Sequence, residues 1–111
     1  MNRGWIGVDL DGTLAHYDEW KDGAIGEAVL PMLLRVKKWV GEGREVRIFT
    51  ARISDPRYVD KLLADWTIWC RRYGLPILKL TNVKDFHMIE LWDDRAIQIV
   101  KNTGIRADGQ P

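Results

Sequence analysis

The chain has 111 residues, 46% of them hydrophobic, which suits one compact domain spanning 1–111 with a single core and leaves no room for a second. Seventeen basic residues stand against sixteen acidic ones, and the formal charge of +1 argues against an extended nucleic-acid or anionic-membrane surface. The single Cys70 excludes an internal disulfide, no Cys/His cluster offers a zinc site, and no apolar run approaches the roughly 18 residues of a membrane span; with a first strand too early to leave space for a signal peptide, a soluble cytoplasmic protein is expected.

Trp5 to Asp9 is a short apolar run broken only by Gly7, the pattern of a strand buried on both faces. Gly12 to Gly26, which includes His16, Tyr17, Asp18 and Trp20, has no clear period and reads as a loop or small flap. Val29, Leu33, Val36 and Val40 then recur at helical spacing, with Pro31 suited to a first turn and Gly41 and Gly43 to the stop. Glu45 to Thr50 is a second strand. Ser54 or Asp55 can cap the next helix and Pro56 fits its first turn. Its apolar face runs from Val59 through Leu62, Leu63, Trp66, Trp69, Cys70 and Tyr73 before Gly74. Pro76 to Leu80, Met88 to Trp92 and Ile97 to Val100 read as three further strands, and the tail from Asn102 has little to bury and is expected to fray.

Strands alternating with helices predict an α/β fold: a Rossmann-like parallel sheet of about five strands with helices on both faces. Ligands of such sheets bind beyond the carboxyl ends of the strands. The polar residues that finish the strands are Asp9 with Asp11, Thr50, Thr81 with Lys84, and Asp93 with Asp94. Four carboxylates at one edge repel each other unless a cation stands among them, and an all-oxygen donor set that leaves positions for a phosphate suits Mg2+. Lys84 and the backbone N–H groups around Thr50 can then hold phosphate oxygens. Asp9 and Asp11, two apart at a strand end, can point toward one region, so that one attacks phosphorus and the other moves protons. Gly12 permits a sharp turn after the strand, and Thr13 adds a hydroxyl and an amide.

Asp9-Leu10-Asp11-Gly12-Thr13-Leu14 resembles the first motif of the haloacid dehalogenase-like superfamily, whose first Asp is a nucleophile and whose second is an acid/base. Phe49-Thr50-Ala51-Arg52 resembles its second motif, Lys84 stands where the third places a lysine, and Leu91-Trp92-Asp93-Asp94-Arg95 resembles the double-Asp form of the fourth. Together the four motifs cover residues 5 to 100. The resemblance implies a Mg2+-dependent phosphatase with Asp9, Asp11, Thr50 and Lys84 catalytic, and Gly12, Thr13, Ala51 and Arg52 on the substrate. It also implies a metal held by Asp9, the Asp11 backbone carbonyl and Asp94, with Asp93 behind them. Dehalogenase members lack the second Asp, so Asp11 points to phosphoester hydrolysis. The chain has no room for a cap domain, so that only the Ala15 to Ala24 flap, or another subunit in a homo-oligomer, can shield the site.

Lys79 is an alternative to Lys84, and Arg52 can reach either substrate phosphate or Asp55, while Arg95 can orient a carboxylate. His16 and His87 lack a metal-ligand pattern. Most tryptophans fall on helices or strands and read as core, but Trp20 and Tyr17 on the flap can stack on a nucleobase or sugar. Nucleotides, sugar phosphates and macromolecular phosphates all remain open as substrates. Two other functions compete: a receiver-like phospho-acceptor domain, in which an acidic pair precedes the phosphorylated Asp, and a nonenzymatic binding module on the same fold.

Overall fold

A computed structural model describes residues 4–111. Among them, β1 (Trp5–Asp9), β2 (Glu45–Phe49), β3 (Leu80–Thr81) and β4 (Met88–Trp92) form one all-parallel sheet in the order β3-β2-β1-β4. Helix α1 (Leu30–Gly41) links β1 to β2, and α2 (Val59–Arg72), preceded by a single 3-10 turn at Ala51–Ser54, links β2 to β3.

One face of the sheet carries the core. Ile6 and Val8 of β1 and Val46 and Ile48 of β2 meet Met32, Leu33 and Val36 of α1, and Leu62, Trp66, Trp69 and Cys70 of α2. Each large side chain buried there contributes about 1.5–3 kcal/mol by leaving water. The two tryptophans of α2 stack at 5.2 Å between ring centroids, and their indole N–H groups donate to the carbonyls of Leu78 and Gly26. No buried side-chain polar atom among the described residues lacks a partner, so the tryptophans reach this depth with their polar ends satisfied.

Four strands stand where about five were expected, and both helices share one face. The helix placement follows from topology: β1, β2 and β3 step across the sheet in one direction, and right-handed crossovers that step one way fall on one side. On the opposite face Trp5, Gly7 and Leu91 lie together, with the Arg47 guanidinium 4.6 Å from the centre of the Trp5 ring. The return from β3 to β4, Asn82 to His87, is too short for a helix. It is anchored to that face by Asp85, which accepts from the Trp5 indole at 2.9 Å and faces Arg47 at 3.6 Å.

Ile97 to Val100 does not extend the sheet. It folds against the tail instead, Val100 N–H donating to the Ile105 carbonyl and Ala107 N–H to that of Gln98, around a turn with Asn102 and Gly104 at positive φ. The tail forms the returning arm of a hairpin and, as expected, buries little. The third strand is shorter than Pro76 to Leu80: only Leu80 and Thr81 align with β2, and the Leu78 carbonyl accepts from the Trp66 indole. Helix α2 begins at Val59, later than expected: Asp55 accepts from the Arg57 N–H as an N-cap does, but what it caps is the turn at 56–58 that leads into the helix, and its carboxylate also pairs with the Arg57 guanidinium.

Candidate active site

The hexapeptide after β1 is shaped by its apolar members. Leu10, Leu14 and Ala15 are fully buried, and the N–H groups of Thr13, Leu14 and Ala15 all donate back to the Leu10 carbonyl, closing a tight loop. Anchoring the loop at those positions leaves Asp9, Asp11, Gly12 and Thr13 at the carboxyl edge of the sheet. Gly12 sits at φ +89°, and a Cβ there would lie 2.7 Å from an Asp94 carboxylate oxygen. Both the backbone and the space thus require glycine.

Asp93 and Asp94 arrive from β4. Trp92, last in that strand, packs against Trp39 of α1 at 5.2 Å. The Asp93 carboxylate accepts from the N–H groups of Arg95 (2.6 Å) and Ala96 (3.2 Å), which turns the chain. Thr13 fixes Asp94 twice: its hydroxyl donates to the carboxylate at 3.2 Å and accepts from the Asp94 N–H at 3.1 Å. As a result Asp9, Asp93 and Asp94 each present a carboxylate oxygen within 4.8 Å of the others. Burial, the Asp94 carboxyl beside it, and the charges of Asp93, Asp94 and Asp11 together push Asp9 from 3.8 up to about 7. Three carboxylates without a sulfur or imidazole among them fit a hard divalent cation, so the donor set is right for Mg2+.

Thr50 is buried at the end of β2, its N–H donating to the Thr81 carbonyl and its hydroxyl accepting from Arg52 N–H. The Arg52 guanidinium has a role that the sequence left undecided. It grips both oxygens of Asp11 (2.7 and 2.8 Å), donates to the carbonyls of Gly23 and Ala24 on the flap, and lies 4.8 Å from the centre of the Trp20 ring. Asp55 is therefore not its partner. One buried guanidinium ties the flap to the site.

These groups open into a cavity of about 1060 Å³ beyond the strand ends, lined by Asp9, Asp11, Thr50, Arg52, Asp93 and Asp94 among others, with Ala51 and Gly12 also on its wall. Thr13 stands behind Asp94, on a smaller neighbouring hollow. Lys84 is not brought in: it is exposed on the β3–β4 connection, which leaves the site when Asp85 docks beneath Trp5, and Lys79 does not line the cavity either. The sequence reading passed over Tyr58, Lys61 and Asp65, which form the α2 wall of the cavity. Their three- and four-residue spacing along the start of a helix, on the flank of its apolar stripe beside Leu62, was the available signal.

Comparison of the chain with protein-family models, with curated proteins and with solved structures finds no match in any of the three.

Proposed function

We propose that the chain is a Mg2+-dependent phosphohydrolase of haloacid dehalogenase type, working through an aspartyl-phosphate on Asp9. The observation that carries this reading is the convergence of Asp9, Asp93 and Asp94 within 4.8 Å, beside Asp11 and Thr50 and inside one cavity. The motif resemblance supports the same roles. Bound Mg2+ would supply the positive charge that keeps Asp9 ionised and shields the incoming phosphate; Asp9 and Asp94 would hold it, with Asp93 beside them.

The remaining chemistry belongs to the chain. An Asp9 carboxylate oxygen attacks phosphorus as the bond from phosphorus to the leaving oxygen breaks, and that oxygen takes a proton from Asp11. Asp11 then accepts a proton from water, which attacks the phosphorus, freeing inorganic phosphate and restoring Asp9. Both Asp11 oxygens accept from Arg52, so acid/base work by Asp11 requires that pair to open, which frees the guanidinium for the phosphate beside the Thr50 hydroxyl.

The test is release of p-nitrophenol from p-nitrophenyl phosphate with Mg2+ and with EDTA, comparing wild type with Asp9→Asn and Asp11→Asn. Activity should need the metal and vanish in Asp9→Asn; undiminished turnover in that variant would remove Asp9 from the role. Stable labelling by acetyl phosphate without turnover would favour the receiver-like function instead.

A further inference from the structure

The cavity is far larger than a phosphate needs, and its walls differ from its floor. At about 1060 Å³ it lies at the upper end of the roughly 300–1,000 Å³ usual for small-molecule sites. Its mouth carries three exposed aromatic rings from two elements: Tyr17 and Trp20 on the flap, 40% and 53% exposed, and Tyr58 ahead of α2, 48% exposed. Exposed rings around a concave site are stacking platforms.

Charge narrows the choice. Eight aspartates line the cavity against three basic residues. Two of those cations are committed, Arg52 to Asp11 at 2.7 Å and Lys61 to Asp65 at 2.6 Å, which leaves Arg95 as the one lining cation without an ion-pair partner among the described residues. Lys84 and Lys79 do not reach the cavity. A divalent ion at the floor offsets only part of the acidic excess. The site can thus neutralise one phosphate and repels a second. Of the wall carboxylates, Asp55 and Asp65 are paired with Arg57 and Lys61, which leaves Asp18 and Asp22 to accept from hydroxyl or amino donors of a leaving group.

Building on the phosphohydrolase reading, we infer that the substrate is a nucleoside monophosphate: one phosphate on the acidic floor, an aromatic base against the mouth rings, and sugar hydroxyls toward the aspartates of the walls. Nucleoside di- and triphosphates and phosphorylated nucleic-acid ends carry the excess negative charge this wall rejects, and simple sugar phosphates leave the rings without a partner.

The test measures phosphate release by the full chain with Mg2+ from nucleoside 5′-monophosphates, the matching di- and triphosphates, a 5′-phosphorylated oligonucleotide, glucose 6-phosphate and glycerol phosphate. The expected result is a kcat/KM for a nucleoside monophosphate at least about tenfold above each of the others, a difference one stacked base can supply. Tyr58→Ala and Trp20→Ala should each raise KM for the nucleoside monophosphate by about tenfold and raise that for glycerol phosphate much less. Equal losses on both substrates would show that the rings only support the flap, and would overturn the inference, as would preference for a triphosphate, an oligonucleotide or a sugar phosphate. Failure of the parent reading looks different: no ester, p-nitrophenyl phosphate included, would be hydrolysed. In that event, quenching of tryptophan fluorescence by nucleoside monophosphate but not by glucose 6-phosphate would still sustain the binding preference, and equal responses would end it.

Discussion

Asp9 offers a stability experiment that needs no substrate. Its carboxyl titrates near 7 in the folded protein against an ordinary 3.8, chiefly through burial and then through the Asp94 carboxyl and neighbouring charges. A carboxyl whose folded value is raised binds its proton more tightly in the native state, so that stability is fully present below about pH 4 and is lost as pH rises toward 7. Full conversion of the shift gives about 4 kcal/mol, and because Asp9 is only half-buried, solvent screening brings the expected loss to about 2 kcal/mol. Urea unfolding in EDTA at pH 5 and pH 8 should show wild type losing about 1 kcal/mol, the part of that loss that falls above pH 5. Asp9→Asn, which has no proton to lose, should lose much less, and the difference between the two proteins cancels the histidines. Asp55, Asp85 and Asp108 are held below the ordinary carboxylate value by Arg57, Trp5 and Arg106 respectively, so they act below about pH 4, outside this window. Millimolar Mg2+ should restore wild type at pH 8 and do little for Asp9→Asn. Equal pH dependence in the two proteins would refute the account of a carboxylate cluster strained by its own charge.

Gly12→Ala drives a methyl group toward Asp94 and strains a residue at positive φ; it should lower Mg2+ affinity by about tenfold or more, read by titration calorimetry, at a cost of about 1–3 kcal/mol in stability. Arg52→Gln should free the flap, costing about 1–3 kcal/mol and accelerating tryptic cleavage at Lys21, while Arg57→Gln, whose partner Asp55 is close in sequence and outside the flap, should not change that cleavage. Trp66→Phe should cost about 1–3 kcal/mol in urea unfolding, since the smaller ring leaves part of the core unfilled and the Leu78 carbonyl loses its donor. The Cys70 thiol, pushed by burial up to about 11, should resist a thiol reagent at pH 8 until the protein is unfolded.

Helix spacing and strand-ending polar residues made much of this arrangement readable before any coordinates. The period of Leu33 and Val36 and the run from Leu62 to Cys70 found α1 and α2, since each has a single apolar stripe. Asp9, Thr50, Asp93 and Asp94 were readable because parallel strands deliver their last residues to one edge. Other features depend on which groups compete for the same partner. Asp55 does accept from the N–H two residues on as a cap would, but the turn it caps precedes the helix, which starts only at Val59. Lys84 was placed by order along the chain, and the contact of Asp85 with Trp5, 80 residues away in sequence, carries the connection elsewhere. Ile97 to Val100 has the apolar content of a strand without information about which edge it prefers, and a positive-φ turn at Asn102 and Gly104 provides a nearer partner.

Thr13 and Asp94 bond across 81 positions of chain. The carboxylate cluster is therefore a long-range contact in the folding sense, assembled only when β4 docks beside β1 after the intervening helices have brought the chain around. Before that moment the first strand and its loop have one half of the proposed cation site and the last strand has the other. On that proposal cation affinity reports completion of the sheet: a refolding protein should gain its Mg2+ response with β4 docking rather than with helix formation, and variants that loosen β4 should weaken metal binding before they lose helical structure.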